Sequence, residues 1–188
     1  MKYLVCFLEE ESAREMLEGV LSRLLPKHIA YKCYHFEGKR DLEKQLAGKL
    51  RNWQMPNSKF LIIMDQDRAD CRAVKKRLSE LCEKAGKPEA LIRIACHELE
   101  SFYFGDLVAV EAGLGISNIA HYREKAKYRV PDDIPDPADE LEKLTNGKYQ
   151  KVDGSRRIGR ALSLEPNTNT SDSFTALLSG IRKLLSIA

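Results

Sequence analysis

The sequence predicts an α/β fold: a doubly wound, mostly parallel four-stranded sheet flanked by helices, with a C-terminal loop-and-helix extension. Four short apolar runs in the first half of the chain indicate strands, and stretches with helical spacing of apolar residues separate them. Strands that alternate with helices require crossover connections, which make neighbouring strands parallel. Acidic residues also follow three of the four runs, and ligands bind at the edge where parallel strands end.

The four predicted strands are short runs that end at polar residues. The first is YLVCFL at 3–8, and the second is IAYKCYHF at 29–36, which alternates well enough for a strand. The third, FLIIM at 60–64, is entirely apolar, as is typical of a strand covered on both faces. The fourth is ALIRIAC at 90–96.

A helix is predicted after each of the first three strands. The first spans 12–25, carries its apolar residues on one face and stops at Pro26. The second is charged and runs from after Gly38 to about residue 53. The third, rich in Arg and Lys, runs from about 69 to 84 and ends near Gly86, a residue that suits a helix C-cap.

The C-terminal half is predicted to extend the same domain. We expect an α/β core over 1–112 and an extension over 113–188 that packs on it. Several prolines and aspartates mark a loop, after which a helix begins at Pro137 and ends at about residue 146. A final helix is predicted over 173–185.

Composition excludes several classes of protein. A chain of 188 residues with 43% hydrophobic content fits one soluble domain. No run approaches the roughly 20 apolar residues that cross a membrane. Five cysteines without a close pair, and an N-terminus unlike a signal peptide, predict a reduced, cytoplasmic protein without disulfides or structural zinc. The net charge of +3 does not by itself indicate a nucleic-acid binder.

Two aspartates follow the third strand, spaced one residue apart. In an extended chain Asp65 and Asp67 would project to the same side, with Gln66 pointing away. Two adjacent carboxylates repel each other unless a cation or a proton lies between them. The alternative is that Asp67 or Asp70 only caps the next helix, which is a common use of aspartate.

Two further acidic groups follow strands at the same predicted edge. Residues 9–11 are all glutamates, and Glu98 and Glu100 follow the fourth strand. Taken singly, the first group could favour a helix dipole and the second could lie on a helix surface. Because all three groups converge on one edge, we expect a cluster of carboxylates that binds Mg²⁺ or Mn²⁺, one or two ions.

A basic segment lies in the C-terminal half. The stretch KYQKVDGSRRIGRALSLEP brings together Tyr149, Lys151, Arg156, Arg157 and Arg160. These side chains could bind phosphates, although most charged faces are simply solvated.

The acidic pattern resembles the Toprim fold, the metal-binding core of topoisomerases, bacterial primases and the overcoming-lysogenization-defect nucleases. More closely, the chain resembles a Toprim-like bacterial family catalogued as domain of unknown function 4276. Five motifs carry the likeness in order: LEEESAREML, MDQDRADC, HELESFYFGD, YQKVDGSRRIG, and the pair Ser173–Phe174. Many Toprim proteins have glycine after the first glutamate, where this chain has Glu10. Either Glu9 or Glu10 is therefore the functional glutamate. Glu9 is favoured because it comes directly after the strand.

The resemblance implies a metal-dependent phosphodiester hydrolase, a nuclease acting in bacterial defence or DNA processing. Its metal ligands would be Asp65, Asp67 and Glu98, with Glu100 as an additional or supporting ligand. Glu9 would be a ligand or general base, and Lys151 would stabilise charge on the phosphate. The nucleic acid, DNA or RNA, would be gripped by basic residues further along the chain. These are Arg156, Arg157 and Arg160.

Three alternatives compete with the nuclease. A catalytically inactive Toprim-like module that binds an ATPase partner would account for the missing glycine and the small size. A receiver-type phosphoacceptor domain also places acids after its first and third strands, but it uses a lone acceptor aspartate and is shorter. In haloacid-dehalogenase-like phosphatases the Asp-x-Asp follows the first strand of the core, whereas here it follows the third.

Overall fold

The computed structural model describes residues 2–187. Its centre is a four-stranded, fully parallel sheet in the order β2–β1–β3–β4. The strands are β1 (Tyr3–Leu8), β2 (Ala30–His35), β3 (Ser58–Asp65) and β4 (Leu91–Ala95). Because all four strands run the same way, Leu8, His35, Asp65 and Ala95 end at one edge, hereafter the carboxyl edge.

Eight α-helices surround and extend the sheet within the described residues. They are α1 (Glu11–Leu24), α2 (Lys39–Arg51), α3 (Cys71–Lys84), α4 (Ser101–Phe104), α5 (Leu107–Leu114), α6 (Pro137–Leu144), α7 (Lys151–Ala161) and α8 (Asp172–Leu185). Three short 3-10 turns lie between α5 and α6. None of the described helices is long and apolar enough to cross a membrane.

Helices cover both faces of the sheet, and the strand residues alternate between two cores. Leu4 and Cys6 of β1 face the core formed with α1, α4, α5, α7 and α8. Val5 and Phe7 face the core formed with α2 and α3. This two-residue alternation confirms the predicted doubly wound α/β architecture.

α7 packs very closely on α1 and α5 through glycines. A Cβ atom at Gly159 would lie 2.5 Å from the Met16 carbonyl oxygen, and one at Gly19 would lie 2.7 Å from the Arg160 nitrogen. A Cβ atom at Gly113 of α5 would lie 2.8 Å from an atom of the α7 backbone. These contacts fix α7 against the sheet layer, so its first residue is held at the carboxyl edge.

The four strands and the helices between them lie where the sequence predicts, with ends that differ by a few residues. The first helix begins at Glu11 rather than Ser12, and the third begins at Cys71 because Asp70 is its N-cap. The Asp70 carboxylate accepts a hydrogen bond from the Ala73 nitrogen at 2.7 Å. Three helices were not predicted from the sequence: α4, α5 and α7.

The prediction that Asp65 and Asp67 project together does not hold as argued. β3 ends at Asp65, and Asp67 has a left-handed backbone with φ of 53°. Strand alternation therefore stops before Asp67. The Asp65 side chain is buried, whereas the Asp67 side chain is 54% exposed.

Candidate functional site

Asp65 and Glu100 lie close together as buried acids at the carboxyl edge. Asp65 is the last residue of β3 and is 9% exposed, while Glu100 precedes α4 and is fully buried. Burial raises the pKa of Asp65 well above its usual range, and the charges of Glu100 and Glu9 raise it further. Burial also raises the pKa of Glu100. Two neighbouring carboxyls of this kind favour a proton or a cation between them.

One carboxylate oxygen of Glu100 is held and the other is free. The Tyr149 hydroxyl donates to Glu100 Oε1 at 2.6 Å and lies 3.2 Å from the Ser155 hydroxyl. Glu100 Oε2 is buried without a hydrogen-bond partner among residues 2–187. Buried polar atoms without a partner are rare, so this oxygen is available to a cation.

Glu9 links β1 to the start of the aspartate loop. Its Oε2 accepts a hydrogen bond from the Asp65 backbone nitrogen at 3.0 Å. Burial raises the pKa of Glu9, and the charges of Asp67 and Glu10 act in the same direction. The Asp65 nitrogen and Lys39 oppose this rise. Glu9 therefore lies beside the buried acids with a carboxyl that takes up a proton more readily than an exposed one.

Glu10 reaches the cluster from the side of α7. Its Oε1 accepts hydrogen bonds from the Ser12 hydroxyl at 2.6 Å and from Lys151 Nζ at 2.7 Å. Although burial works against it, the bond to Glu10 and the charges of Glu100 and Asp65 raise the pKa of Lys151. Lys151, the first residue of α7, is thus a stable cation facing the carboxylates.

Asp67 lies at the outer rim of the cluster. Its Oδ2 forms an ion pair with Lys39 Nζ at 2.6 Å. The Asp67 backbone nitrogen donates to the His97 carbonyl oxygen at 2.7 Å, which ties the loop after β3 to the loop after β4. Asp67 therefore adjoins Glu9 and Lys39 rather than the buried interior of the site.

Glu98 has a structural contact of its own. Its Oε2 accepts a hydrogen bond from the Ala138 backbone nitrogen at 2.9 Å, in the first turn of α6. The Asp136 side chain, at the N-cap position of α6, makes no capping hydrogen bond. Glu98 thus caps α6 in place of the N-cap side chain. This contact occupies one of its two carboxylate oxygens.

The three predicted phosphate-binding arginines lie along α7. Arg156 pairs with Glu15 of α1 at 2.5 Å, and this contact lowers the pKa of Glu15. Arg157 and Arg160 are exposed. They are six and nine residues beyond Lys151, or about 9 and 14 Å along a helix that rises ~1.5 Å per residue. Only Lys151 of the predicted basic residues reaches the carboxylate cluster.

A cleft opens beside Glu10 and Lys151. It has a volume of about 350 Å³ and is bounded on its other side by the turn from His35 to Gly38. Lys151 lines this cleft together with three glutamates, Glu10, Glu11 and Glu37.

The donor set at this edge suits a divalent cation. Asp65, Glu100 and Glu9 offer carboxylate oxygens, which Mg²⁺ and Mn²⁺ prefer, and the second Glu100 oxygen is free. Among residues 2–187, no group of three or more His, Cys, Asp or Glu side chains is already arranged to hold a metal ion. Lys39 and Lys151 instead neutralise the two flanks of the cluster. The residues fit a cation chemically, and binding one would require their side chains to turn towards it.

Comparison with known proteins identifies the family. Residues 8–182 match the family described as Domain of unknown function (DUF4276). The chain belongs to this family. No curated protein matches it.

The DUF4276 chain is also similar to a solved structure, the C-terminal region of the Burkholderia pseudomallei OLD protein. The sequence identity is 17%, the TM-score is 0.57, and the match covers 96% of this chain and 97% of that chain. A likeness at this identity concerns the fold. The predicted family and the predicted Toprim-like fold are both confirmed.

Sequence reasoning on this DUF4276 chain missed Lys39 and Ser155, and it named Tyr149 only as a possible phosphate contact. Lys39 begins α2 after a glycine turn, and nothing in its local pattern links it to Asp67. The Tyr149 hydroxyl holds Glu100, and the Ser155 hydroxyl contacts that of Tyr149. The motif YQKVDGSRRIG contains both, so the motif itself was the available signal.

The raised pKa of Glu100 predicts a pH-dependent stability. A carboxyl whose pKa is higher in the folded state stabilises that state below about pH 4, its unfolded pKa, and this stability is lost as pH rises through the folded pKa. In chelator, the free energy of unfolding of the parent minus that of Glu100→Gln should therefore fall from about pH 4 towards neutrality. Urea denaturation at a series of pH values measures this difference, and a constant difference would contradict the prediction.

Proposed function

We propose that this protein is a divalent-metal-dependent phosphodiester hydrolase that acts on nucleic acid. The observation that carries the proposal is the buried pair of Asp65 and Glu100 at the carboxyl edge, with Lys151 beside it. An empty pair of this kind is electrostatically unfavourable. A cation bound at the carboxyl edge would compensate the charge of these two carboxylates, and a phosphate would bind to that cation.

Each residue has a role that follows from its surroundings. Asp65 and Glu100 would hold Mg²⁺ or Mn²⁺, with Asp67 and Glu98 as the further candidates named by the sequence. The bound ion would supply Lewis-acid stabilisation of the phosphate and a lowered pKa for water. Glu9, whose pKa is raised by burial, is suited to accept a proton from the attacking water, because an efficient general base has a pKa nearer to neutrality.

Lys151 would act on the phosphate as a fixed positive charge. Its ammonium is held by Glu10 and remains protonated. Negative charge develops on the phosphate oxygens during the reaction. A positive charge that is already in position stabilises it, and the protein does not have to rearrange at that step. Arg160 forms no ion pair within residues 2–187 and could contact the backbone further along the substrate, whereas Arg156 pairs with Glu15 and Arg157 lies 3.9 Å from Asp153.

A cleavage assay tests this proposal. Supercoiled, linear and single-stranded DNA, together with RNA, are incubated with the full chain in Mg²⁺, in Mn²⁺ and in chelator. We expect cleavage of at least one substrate with either metal and none in chelator. Absence of cleavage on every substrate, with or without an ATPase encoded beside the gene, would reject the hydrolase.

A second candidate is an inactive Toprim-like module that binds an ATPase partner. The pairing of Lys151 with Glu10 and of Lys39 with Asp67 favours it, since these ion pairs already neutralise part of the cluster. This candidate predicts that millimolar Mg²⁺ or Mn²⁺ leaves the melting temperature unchanged.

A further inference from the structure

An uncompensated basic surface covers the beginning of α3. Arg72, Lys75 and Lys76 are all exposed, and their spacing of three and four residues places them side by side on the helix. None of them forms an ion pair within residues 2–187. We refer to these three residues as the α3 basic face.

One residue of the α3 basic face, Arg72, lies in the first turn of α3, and Lys75 and Lys76 lie in the second turn. The N-terminal end of a helix carries a partial positive charge, which repels Lys and Arg. The first turn of α3 contains no acidic residue, and the Asp70 carboxylate at the N-cap offsets part of this charge. α2 also begins with two cations, Lys39 and Arg40, but its first turn contains an aspartate and Lys39 is paired with Asp67. The helix dipole gives Arg72 no favourable interaction and acts little on Lys75 and Lys76, so it does not account for the α3 basic face.

The surface adjoins the candidate site. α3 follows the aspartate loop directly, and Arg68 within that loop is 95% exposed at its side chain. The carboxylates of the site repel a polyanion, so a substrate with many phosphates needs cations nearby. On α7 the corresponding positions are partly neutralised, because Arg156 pairs with Glu15 and lies near Asp153.

We propose that the α3 basic face binds the sugar–phosphate backbone of duplex nucleic acid and guides it to the carboxyl edge. The proposal rests on the proposed hydrolase function and names its substrate as a duplex. Proteins that hold single strands stack bases on aromatic side chains, and α3 contains no aromatic residue. Clustered Lys and Arg without aromatic partners suit phosphate contacts that are independent of sequence.

Binding measured without cleavage tests the proposal. Fluorescence anisotropy in chelator follows a labelled duplex from about 50 to about 200 mM salt, for the parent and for Arg72→Gln/Lys75→Gln/Lys76→Gln. The triple variant should bind about tenfold more weakly or worse at low salt, and its log–log salt slope should be shallower by about 3. A single-stranded oligonucleotide of equal charge should bind more weakly than the duplex.

The matched control removes the same charge at the opposite edge. Lys49→Gln/Arg51→Gln/Lys84→Gln alters three exposed cations in the last turns of α2 and α3. We expect this control to keep the parent's affinity and salt slope. Equal losses in the two triple variants would overturn the assignment, because they would indicate an effect of net charge alone.

Other outcomes distinguish this proposal from the hydrolase. Parent affinity in the α3 variant, or a preference for single strands, would overturn the duplex surface and leave metal-dependent cleavage open. If duplex binding depends on the α3 basic face but no condition gives cleavage, the proposed binding surface is supported and the proposed hydrolase activity is rejected. If polyglutamate displaced the duplex as well as a competing duplex of equal charge, the surface would belong to an acidic protein partner and the proposal would fall.

Discussion

Asp65→Asn is expected to abolish Mg²⁺-dependent cleavage and, at the same time, to make the metal-free protein more stable. The carboxylate is buried and close to Glu100 and Glu9, so at neutral pH its charge is costly in the absence of a cation. Asparagine has nearly the same shape without the charge, so the free energy of unfolding in chelator should rise. Cleavage should fall by at least about a hundredfold, the scale of losing one preorganised electrostatic contact.

Thermal melting with and without Mg²⁺ measures both halves of this expectation. A ligand that binds only the folded state raises the melting temperature by mass action, so the parent should be stabilised by millimolar Mg²⁺ and Asp65→Asn should not. Asp70→Asn is the matched control, because it removes a charge from the same loop while asparagine still caps α3. Retention of the Mg²⁺ effect in Asp65→Asn would exclude Asp65 as a ligand.

The fold was predictable where local patterns and tertiary packing agree. The apolar runs of β1 and β3 and the strand–helix alternation predicted the parallel sheet, because runs so apolar are typical of strands that helices cover on both faces. α7 could not be predicted in the same way. Gly154 and Gly159 lower its helix propensity, yet Gly159 is needed where α7 meets the α1 backbone. Tertiary contact overrides propensity at this helix.

The sequence predicts that the candidate site lies at the carboxyl edge of the sheet, but it does not predict the individual side-chain contacts there. Parallel topology alone brings the residues after β1, β3 and β4 together, so the positions of Glu9 and Asp65 follow from the sheet. The pairing of Lys39 with Asp67 and the capping of α6 by Glu98 depend on loop paths with left-handed residues. Loop geometry of this kind is not encoded in the spacing of acids along the sequence.

Lys151→Ala is expected to lower the turnover number by about a hundredfold while Mg²⁺ affinity stays the same or improves. The lysine contributes a positive charge to the phosphate, and it also competes with a metal ion for the acids of the cluster. The variant should fold, because its ion pair with Glu10 is partly exposed and such pairs contribute about 0–1 kcal/mol. Turnover is measured with saturating duplex, and Mg²⁺ affinity is measured by the shift in melting temperature.

Lys148→Ala is the control that separates the effect of the position of Lys151 from the effect of losing one positive charge. Lys148 is exposed just before α7 and forms no ion pair within residues 2–187, so its removal changes net charge equally but leaves the cluster intact. If the role of Lys151 is local, only Lys151→Ala should lose turnover, and Lys151→Arg should recover part of it because the charge is retained. Cleavage by Lys151→Ala at the parent rate would instead place Lys151 among the solvated lysines, with Glu10 as its only partner.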